Sequence, residues 1–320
     1  MAKKKKKAGS DRILRKTADS LDAIPAFSRL PESGEERFLL EKKLGAGGIC
    51  EVYAALDLRR VEWGDANPKV AIKRLLPALA DNAQAKLALA QEFCVLRHLA
   101  HPGVVRVFDL HKEPCGICFS MELLEGQTLQ EALIEHPTGL EAAVGLGHGL
   151  FTVLHFLHCH GIVHGDIKPS NVFLASEKRI VLIDFNVATA TAKTGAACSP
   201  VTRGLRESLH LPCFSLCYAS PERLQDGKPS SADDVFAACC TVYEAVTGAH
   251  PFGRLTAAEA ESRNSVPKKP AGLTAGQWRP VQKGLSFSSS KRPASGDLLY
   301  DFSRKPLLCS LREALRHFSS

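Results

Sequence analysis

The chain has 320 residues, of which 45% are hydrophobic and 23% charged, a composition typical of a soluble globular protein and unlike a disordered or fibrous one. Its formal net charge of +7 is concentrated at the N-terminus, where residues 1–16 contain eight Lys or Arg and one Asp. The rest of the chain contains 33 basic and 33 acidic residues, since 8 of the 41 basic and 1 of the 34 acidic residues lie in this segment. The net charge therefore does not indicate a basic binding face on the folded part.

The first 35 residues are predicted to form a basic, mostly disordered tail. They contain a lysine run at residues 3–7 and end in Pro31-Glu32-Ser33-Gly34. A solvated arm is the simplest interpretation. The alternative is contact with nucleic acid, an acidic protein partner or anionic lipid, and a lysine run alone does not separate these partners.

Short strands are predicted next, together with one helix. The strands are expected at 37–44, 50–58, 69–75, 104–110 and 117–123, and 59–68 is expected to be a connecting loop. In the third strand Val70 and Ile72 would share one face, with Ala71 and Lys73 on the other. The helix is predicted over 84–99, where apolar residues recur on one face.

After residue 126 the pattern becomes mainly helical, with helices predicted over 140–160 and 232–247. Glycines at 145, 147 and 149 weaken the first of these two predictions. The order predicts an α+β fold with two lobes, a small β-rich N-lobe with one helix and a larger α-helical C-lobe. Ligand sites favour the junction between such lobes.

A combination of carboxylate, lysine and amide side chains indicates phosphate chemistry with a metal ion. It lies in His164-Gly165-Asp166-Ile167-Lys168-Pro169-Ser170-Asn171, and it is followed by Ile183-Asp184-Phe185-Asn186. Asp166 is a candidate base for a substrate hydroxyl, and Lys168 is a candidate phosphate contact. Asn171 and Asp184 are candidate Mg²⁺ ligands, because Mg²⁺ needs few protein oxygens and otherwise keeps water and phosphate.

These two motifs resemble the catalytic loop and the metal motif of the eukaryotic-like serine/threonine protein kinases, in particular their bacterial branch. Lys168 is the serine/threonine form of the loop. The resemblance runs from residue 36 to about 305 and keeps its order through further motifs: the glycine turn Leu44–Val52, Val70-Ala71-Ile72-Lys73, Glu92, Ser120–Gly126, Ser220-Pro221-Glu222, Asp234 and Arg292.

The resemblance implies a site for ATP with Mg²⁺, or Mn²⁺ in its place. Lys73 would hold the α- and β-phosphates and pair with Glu92, both as parts of the catalytic machinery alongside Asp166 and Lys168. His164 would pack beneath Phe185. The nucleotide would be bound by the glycine turn, by the residues around adenine and by the hinge between the lobes: Gly45, Ala46, Gly47, Val52, Ala71, Lys73, Met121, Glu122, Leu124 and Phe173.

Three further implied roles are structural. Ser215 would contact the catalytic loop, Asp234 would fasten the backbone of that loop, and Glu222 would form a buried ion pair with Arg292. Residues 184–222 would be the activation segment. The implied domains are a tail at 1–35, a kinase domain at 36–305 (N-lobe 36–121, hinge 122–126, C-lobe 127–305) and a C-terminal extension at 306–320.

Three positions depart from the family pattern. Gly165 replaces an arginine that binds a phosphorylated activation segment, so activity is predicted not to require that phosphorylation. Asn186 replaces a glycine at a position expected to have positive φ, and Cys50 replaces the third glycine of the turn. The predicted function is an ATP-dependent protein kinase acting on Ser or Thr of a protein substrate. The alternatives are a pseudokinase scaffold that only binds nucleotide, and a small-molecule kinase with the same lobes.

The cysteines and the hydropathy indicate the compartment. The odd number of cysteines, 11, and their place in apolar segments favour reduced, buried thiols such as Cys94, Cys159, Cys239 and Cys240. Cys115 and Cys118 form a lone C-x-x-C that does not predict a metal site. No apolar run reaches the ~18 residues of a membrane helix, and no signal peptide is recognisable. We therefore expect a cytoplasmic protein without a membrane span.

Overall fold

The computed structural model describes residues 29–32, 35–113, 116–136, 139, 142–190, 215–225 and 229–303. The chain divides into two compact units, the first formed by residues up to 97 and 106–124, the second by residues 98–105 and those from 125 onward. Residues 98–105 therefore differ from the prediction that placed them in the N-lobe. They belong to the second unit because Val104 forms a parallel bridge with Leu182, whose N–H donates to Gly103 O at 2.9 Å.

The first unit consists of an antiparallel six-stranded sheet with a covering helix and a short connecting helix. The strand order is β1-β2-β3-β4-β6-β5. The elements are β1 Arg29–Glu32, β2 Glu35–Ala46, β3 Cys50–Asp57, α1 Leu58–Glu62, β4 Lys69–Leu75, α2 Ala83–Leu96, β5 Val107–Glu113 and β6 Gly116–Met121.

Strand β4 is buried on both of its faces. Val70 and Ile72 belong to an apolar cluster with residues of β2, β3 and β6. Ala71 and Lys73 alternate with them and are also buried, since helix α2 packs on β4 and β6. The predicted alternation along this strand is confirmed, and it places Lys73 on the face that α2 covers.

Two secondary-structure predictions in the first unit are wrong. Residues 29–32, assigned to the disordered tail, form β1, because their backbone pairs with β2 between Arg29↔Leu39 and Glu32↔Glu35. Residues 58–62, mostly assigned to a loop, form helix α1. Asp57 caps this helix by accepting a hydrogen bond from Arg59 N at 3.1 Å, which satisfies one of the N–H groups that a helix start leaves unpaired.

The second unit is mainly helical, with two small sheets in the orders β10-β9-β7 and β11-β8. The elements are β7 Gly126–Thr128, α3 Leu129–Glu135, α4 Ala143–Cys159, β8 Ile162–Val163, β9 Val172–Ala175, β10 Ile180–Leu182, β11 Thr189–Ala190, α5 Pro221–Leu224, α6 Ser231–Thr247, α7 Ala257–Ser262, α8 Ala275–Gly284 and α9 Ser295–Ser303. The predicted α+β class is confirmed. Within the described ranges no helix is long and apolar enough to span a membrane.

Helix α4 packs closely against its neighbours through its glycines. A Cβ added at Gly147 would lie 2.8 Å from the Phe302 ring of α9, and one added at Gly149 would lie 2.7 Å from Ile180 of β10. Both separations are shorter than any normal carbon–carbon contact. The glycines therefore allow close packing that offsets their low helix propensity, and the helix predicted over 140–160 forms over most of that range.

The cysteine prediction is confirmed for two residues and wrong for two. Cys239 and Cys240 of α6 are fully buried, and burial raises the pKa of both thiols. Cys94 of α2 and Cys159 of α4 are exposed, because the helical twist turns them away from the buried faces of their helices. Cys115 of the C-x-x-C lies outside the described residues.

Candidate active site

The first unit holds Lys73 in an ion pair with Glu92. Nζ of Lys73 lies 2.7 Å from Oε1 of Glu92, and the two side chains are only 8% and 2% exposed. Strand β4 supplies the lysine and helix α2 the glutamate, so the pair joins the two elements. Burying a charge costs free energy unless an opposite charge compensates it. Glu92 supplies that compensation, and the ion pair therefore keeps the positive charge of Lys73 at a fixed place within the unit.

The glycine turn between β2 and β3 is closed by a hydrogen bond from Gly47 N to Cys50 O at 2.7 Å. A Cβ at Gly45 would meet nothing within 4 Å, and one at Gly47 would meet only Cys50 O, at 3.9 Å. The packing of the unit thus does not require glycine at either position. Glycine at these positions leaves the backbone open to close approach by a ligand.

The remaining predicted nucleotide contacts of the first unit lie on strands or follow one. Val52 is on β3 and half-buried, and Ala71 is buried on β4. Met121 ends β6. The N–H of Glu122 donates to Arg106 O at 2.9 Å, so an adenine contact of Glu122 would use its carbonyl oxygen. Leu124 ends this unit, and Ala46 ends β2.

The second unit holds the loop with Asp166, and Asp234 of α6 anchors its start. The carboxylate of Asp234 accepts hydrogen bonds from His164 N and Gly165 N, both at 2.8 Å, and a third contact comes from His158 Nε2 at 3.1 Å. Asp234 is 1% exposed, and the two backbone donors satisfy its buried charge. The predicted fastening of the loop by Asp234 is present in the structure.

Asp166 is surrounded by hydrogen-bond donors. Its Oδ1 accepts from Ser215 N at 2.9 Å, and its Oδ2 accepts from Lys168 Nζ at 2.7 Å and from Asn171 Nδ2 at 3.2 Å. Lys168 Nζ also donates to Ser215 Oγ at 2.8 Å. The carboxylate is thereby held in one orientation beside a lysine, the arrangement expected of a group that positions a hydroxyl and accepts its proton.

Asn171 and Asp184 have the chemistry of a magnesium or manganese site. The amide nitrogen of Asn171 donates to Asp166 O at 2.9 Å, so the side chain would bind a metal ion through its carbonyl oxygen. Asp184 adds a carboxylate. Hard oxygen donors of this kind suit Mg²⁺ and Mn²⁺, and the residues present therefore fit the implied metal.

The backbone around Asp184 is fixed on both sides. Ile183 N donates to Asn171 O at 3.0 Å, and Ile183 O lies 3.2 Å from His164 Nε2. Phe185 is 1% exposed and packs against His164 as predicted, although the two rings meet edge to face, at 4.7 Å, and are not stacked. Phe173 lies on β9, paired with Val181 of β10, and is half-buried. Asn171, Ile183 and Phe185 thus tie the metal motif to the catalytic loop.

One backbone prediction for the site is wrong. Asn186 does not have positive φ; Asp184 does, at 66°. Aspartate is one of the few residues besides glycine that tolerate this left-handed region. The hydrogen bond from Asn186 Nδ2 to Asp184 Oδ1 at 2.6 Å was not predicted either. An amide two residues after a candidate metal ligand was the signal that could have indicated it.

The predicted pair of Glu222 and Arg292 is present, with Nη2 of Arg292 2.7 Å from Oε2 of Glu222. Arg292 is fully buried, whereas the glutamate side chain is 37% exposed, so the pair is less buried than predicted. Of the predicted activation segment, residues 184–190 and 215–222 are described and 191–214 lie outside the described residues. Residues 306–320 also lie outside them.

Comparison with known proteins identifies the family. The family model of the protein kinase domain matches residues 38–288, so the chain belongs to the protein kinase domain family, as predicted. Its curated relatives include bacterial proteins named serine/threonine-protein kinases. PkaA of Streptomyces coelicolor is 31% identical over 273 residues, which is 82% of this chain and 48% of that protein.

Two mycobacterial relatives are similar at nearly the same level. PknL of Mycobacterium tuberculosis is 30% identical over 219 residues, 68% of this chain and 51% of that protein. PknB of Mycolicibacterium smegmatis is 30% identical over 227 residues, 69% of this chain and 34% of that protein. The matched region thus spans about half or less of the length of these relatives.

Proposed function

We propose that this chain is a serine/threonine protein kinase that transfers the γ-phosphate of ATP to Ser or Thr hydroxyls of a protein substrate. The observation that carries the proposal is the set of donors on Asp166, supplied by Lys168, Asn171 and Ser215. These donors hold the carboxylate in place, and none of them removes its capacity to accept one more hydrogen bond.

In the proposed reaction Asp166 orients the substrate hydroxyl and accepts its proton as the bond to phosphorus forms. Lys168, bonded to both Asp166 and Ser215, lies beside this carboxylate and contributes positive charge where the phosphoryl group is transferred. Asn171 and Asp184 would hold Mg²⁺ or Mn²⁺, whose charge neutralises the phosphate oxygens when bound.

Lys73 is proposed to bind the α- and β-phosphates, and Glu92 to keep its ammonium group in place. The glycine turn is proposed to bring backbone N–H groups close to the phosphates, since no packing constraint explains Gly45 or Gly47. Together these residues position ATP, and positioning with charge neutralisation is the main source of catalysis in phosphoryl transfer.

The choice of a protein substrate is supported by Ser215 and the segment Ser220-Pro221-Glu222, and the choice of Ser or Thr as acceptor is supported by Lys168, the serine/threonine form of the loop. The curated relatives also carry the name serine/threonine-protein kinase. Of the basic tail predicted at 1–35, residues 1–28 lie outside the described residues, and contact with an acidic partner, nucleic acid or anionic lipid is proposed from the charge of the tail alone.

Transfer of labelled phosphate from ATP tests the proposal. We expect the wild-type chain to label a basic protein acceptor on Ser or Thr, as read by phosphoamino-acid analysis. Lys73→Met should lower transfer by roughly 10²–10³-fold, because it removes a charge aimed at the phosphates. Lys69→Met is the matched control, since Lys69 lies on the same strand and its side chain is 54% exposed; it should leave transfer unchanged.

Three results would contradict the proposal or part of it. No transfer by the wild type, together with a rise in melting temperature on adding ATP, would favour a nucleotide-binding scaffold. Label found only on a small metabolite would favour a small-molecule kinase. Equal transfer by Lys73→Met and Lys69→Met would remove Lys73 from the proposed site.

Gly165 leads to a separate prediction about regulation. Its φ is +80°, and an added Cβ would lie 3.3 Å from Val187 O, so the loop accommodates glycine without strain. Without an arginine here, a phosphate on the activation segment lacks its usual partner. We expect full activity after exhaustive phosphatase treatment, checked by mass spectrometry of the treated protein. A loss of activity that returns on rephosphorylation would contradict this.

A further inference from the structure

Asn186 lies in a tight turn whose backbone does not require either asparagine or glycine. Phe185 O accepts a hydrogen bond from Ala188 N at 3.0 Å, which makes residues 185–188 a β-turn. Neither central residue, Asn186 or Val187, has positive φ. This combination excludes the type II, I′ and II′ turns, which are the types that favour glycine or asparagine at a central position. The reason for asparagine at 186 therefore lies in its side chain.

The carboxamide of Asn186 bonds the carboxylate of Asp184. The 2.6 Å separation between Nδ2 and Oδ1 is short, as expected when the acceptor is charged. A carboxylate has two oxygens, so a hydrogen bond to Oδ1 is compatible with metal coordination by the same group. Both side chains are partly exposed, which leaves the carboxylate accessible to a ligand.

The residues on either side of Asp184 fix its backbone. Ile183 is bonded through both its N–H and its carbonyl, and Phe185 is packed against His164. The backbone of Asp184 has a left-handed φ of 66°, a conformation that persists only where its neighbours enforce it. The hydrogen bond from the amide of Asn186 restricts the side-chain torsions of Asp184.

We propose that Asn186 is a positioning residue for the metal ion, holding the Asp184 carboxylate in the orientation that coordinates Mg²⁺ or Mn²⁺. This inference rests on the proposed function, since it assigns a role within the same ATP site. Hydrogen bonds to metal-ligating carboxylates reduce the entropy lost on coordination, and their removal typically weakens metal binding by about 10–100-fold. The residue that departs from the family glycine thus has a defined task.

The test is a Mn²⁺ titration followed by electron paramagnetic resonance, in the presence of a non-hydrolysable ATP analogue. The full chain would be compared with Asn186→Ala, Asn186→Gly and Asp184→Ala. We expect tight Mn²⁺ binding by the wild type and none attributable to the site in Asp184→Ala. Both Asn186 variants should bind about 10–100-fold more weakly, because both lack the amide. Asn67→Ala, at an exposed asparagine of the first unit, should match the wild type.

The outcomes separate the inference from the proposed function. If the wild type binds no Mn²⁺ with the analogue, or if Asp184→Ala binds as the wild type does, the proposed ATP site is overturned. If these two behave as expected but Asn186→Ala keeps wild-type affinity, the role of Asn186 is overturned. If Asn186→Ala binds Mn²⁺ weakly and Asn186→Gly binds it as the wild type does, the turn backbone and not the amide controls the affinity. That result would also overturn the role of Asn186. Melting temperatures measured with EDTA confirm that each variant is folded.

Discussion

Replacing Asp166 with asparagine is expected to lower kcat by roughly 10²–10⁴-fold, the usual contribution of a general base. Asparagine has the same shape, but its amide cannot accept the proton of a hydroxyl. It also loses the charge that attracts Lys168, whose Nζ lies 2.7 Å from Oδ2. The KM for ATP should change little, because the proposed task of Asp166 concerns the acceptor hydroxyl and not the nucleotide.

Steady-state kinetics with ATP and a peptide acceptor would measure this effect. Asp301→Asn is the matched control in the same unit, since Asp301 is exposed on α9, and it should retain wild-type kcat. An Asp166→Asn variant that kept more than about a tenth of wild-type kcat would contradict the role assigned to this carboxylate. A large rise in the KM for ATP with little change in kcat would instead assign Asp166 to nucleotide binding.

Replacing Arg292 with methionine is expected to lower the free energy of unfolding by about 3 kcal/mol, the lower end of the range for breaking a buried ion pair. The lower end applies because Glu222 is partly exposed and water can solvate it once the arginine is gone. The arginine also donates to three carbonyl oxygens, which would lose their partner: Ala232 O at 3.2 Å, Ser286 O at 2.8 Å and Phe287 O at 3.1 Å.

Urea unfolding of Arg292→Met, Arg292→Lys and Arg263→Met would check this prediction. Lysine keeps the charge but not the planar set of donors, so we expect an intermediate loss of about 1–2 kcal/mol. Arg263 is exposed, and its variant should stay within about 0.5 kcal/mol of the wild type. If Arg292→Met lowers the free energy of unfolding by less than about 1 kcal/mol, the surrounding packing, and not the arginine side chain, holds together the segments that contain Glu222, Ala232 and Ser286.

The same pair gives an expected pH dependence. The pKa of Glu222 is lowered to about 2: burial by itself would raise it, but hydrogen bonds from Arg292 and from Ser289 N outweigh burial. Because the folded pKa lies below the ordinary value of 4.5, the pair contributes its full stability above that value. The contribution of the pair to the free energy of unfolding is lost as the pH falls through about 2. In Arg292→Met this contribution should be missing at every pH.

Much of the first unit was predictable because its pattern is local. The alternation of Val70 and Ile72 with Ala71 and Lys73 follows from strand geometry, and the helix carrying Glu92 follows from the spacing of its apolar residues. Helix α1 was missed because its start depends on the side chain of Asp57 accepting one hydrogen bond. Strand β1 was missed because a polar segment gains its structure only by pairing with β2.

The residues of the site were predictable from the sequence, but the hydrogen bonds between them were less so. The family motifs identified Asp166, Lys168, Asn171 and Asp184, since each lies at a characteristic spacing along the chain. The donation from Asn186 to Asp184 was not predicted, because side-chain rotamers depend on the surrounding packing. The left-handed conformation was assigned to Asn186 and found at Asp184, because the turn formed with Ala188 decides which residue carries it.

Chain order and residue spacing by themselves determined the family, the α+β class and the candidate catalytic residues, because motifs and periodicities are properties of neighbouring residues. The tertiary structure alone decided the contacts between distant residues. Examples are the hydrogen bond from Arg292 to Ala232 O, 60 residues away, and the contact of His158 with Asp234, 76 residues away. Such contacts form only when the whole unit closes around them, and they depend on packing and burial that no local pattern encodes.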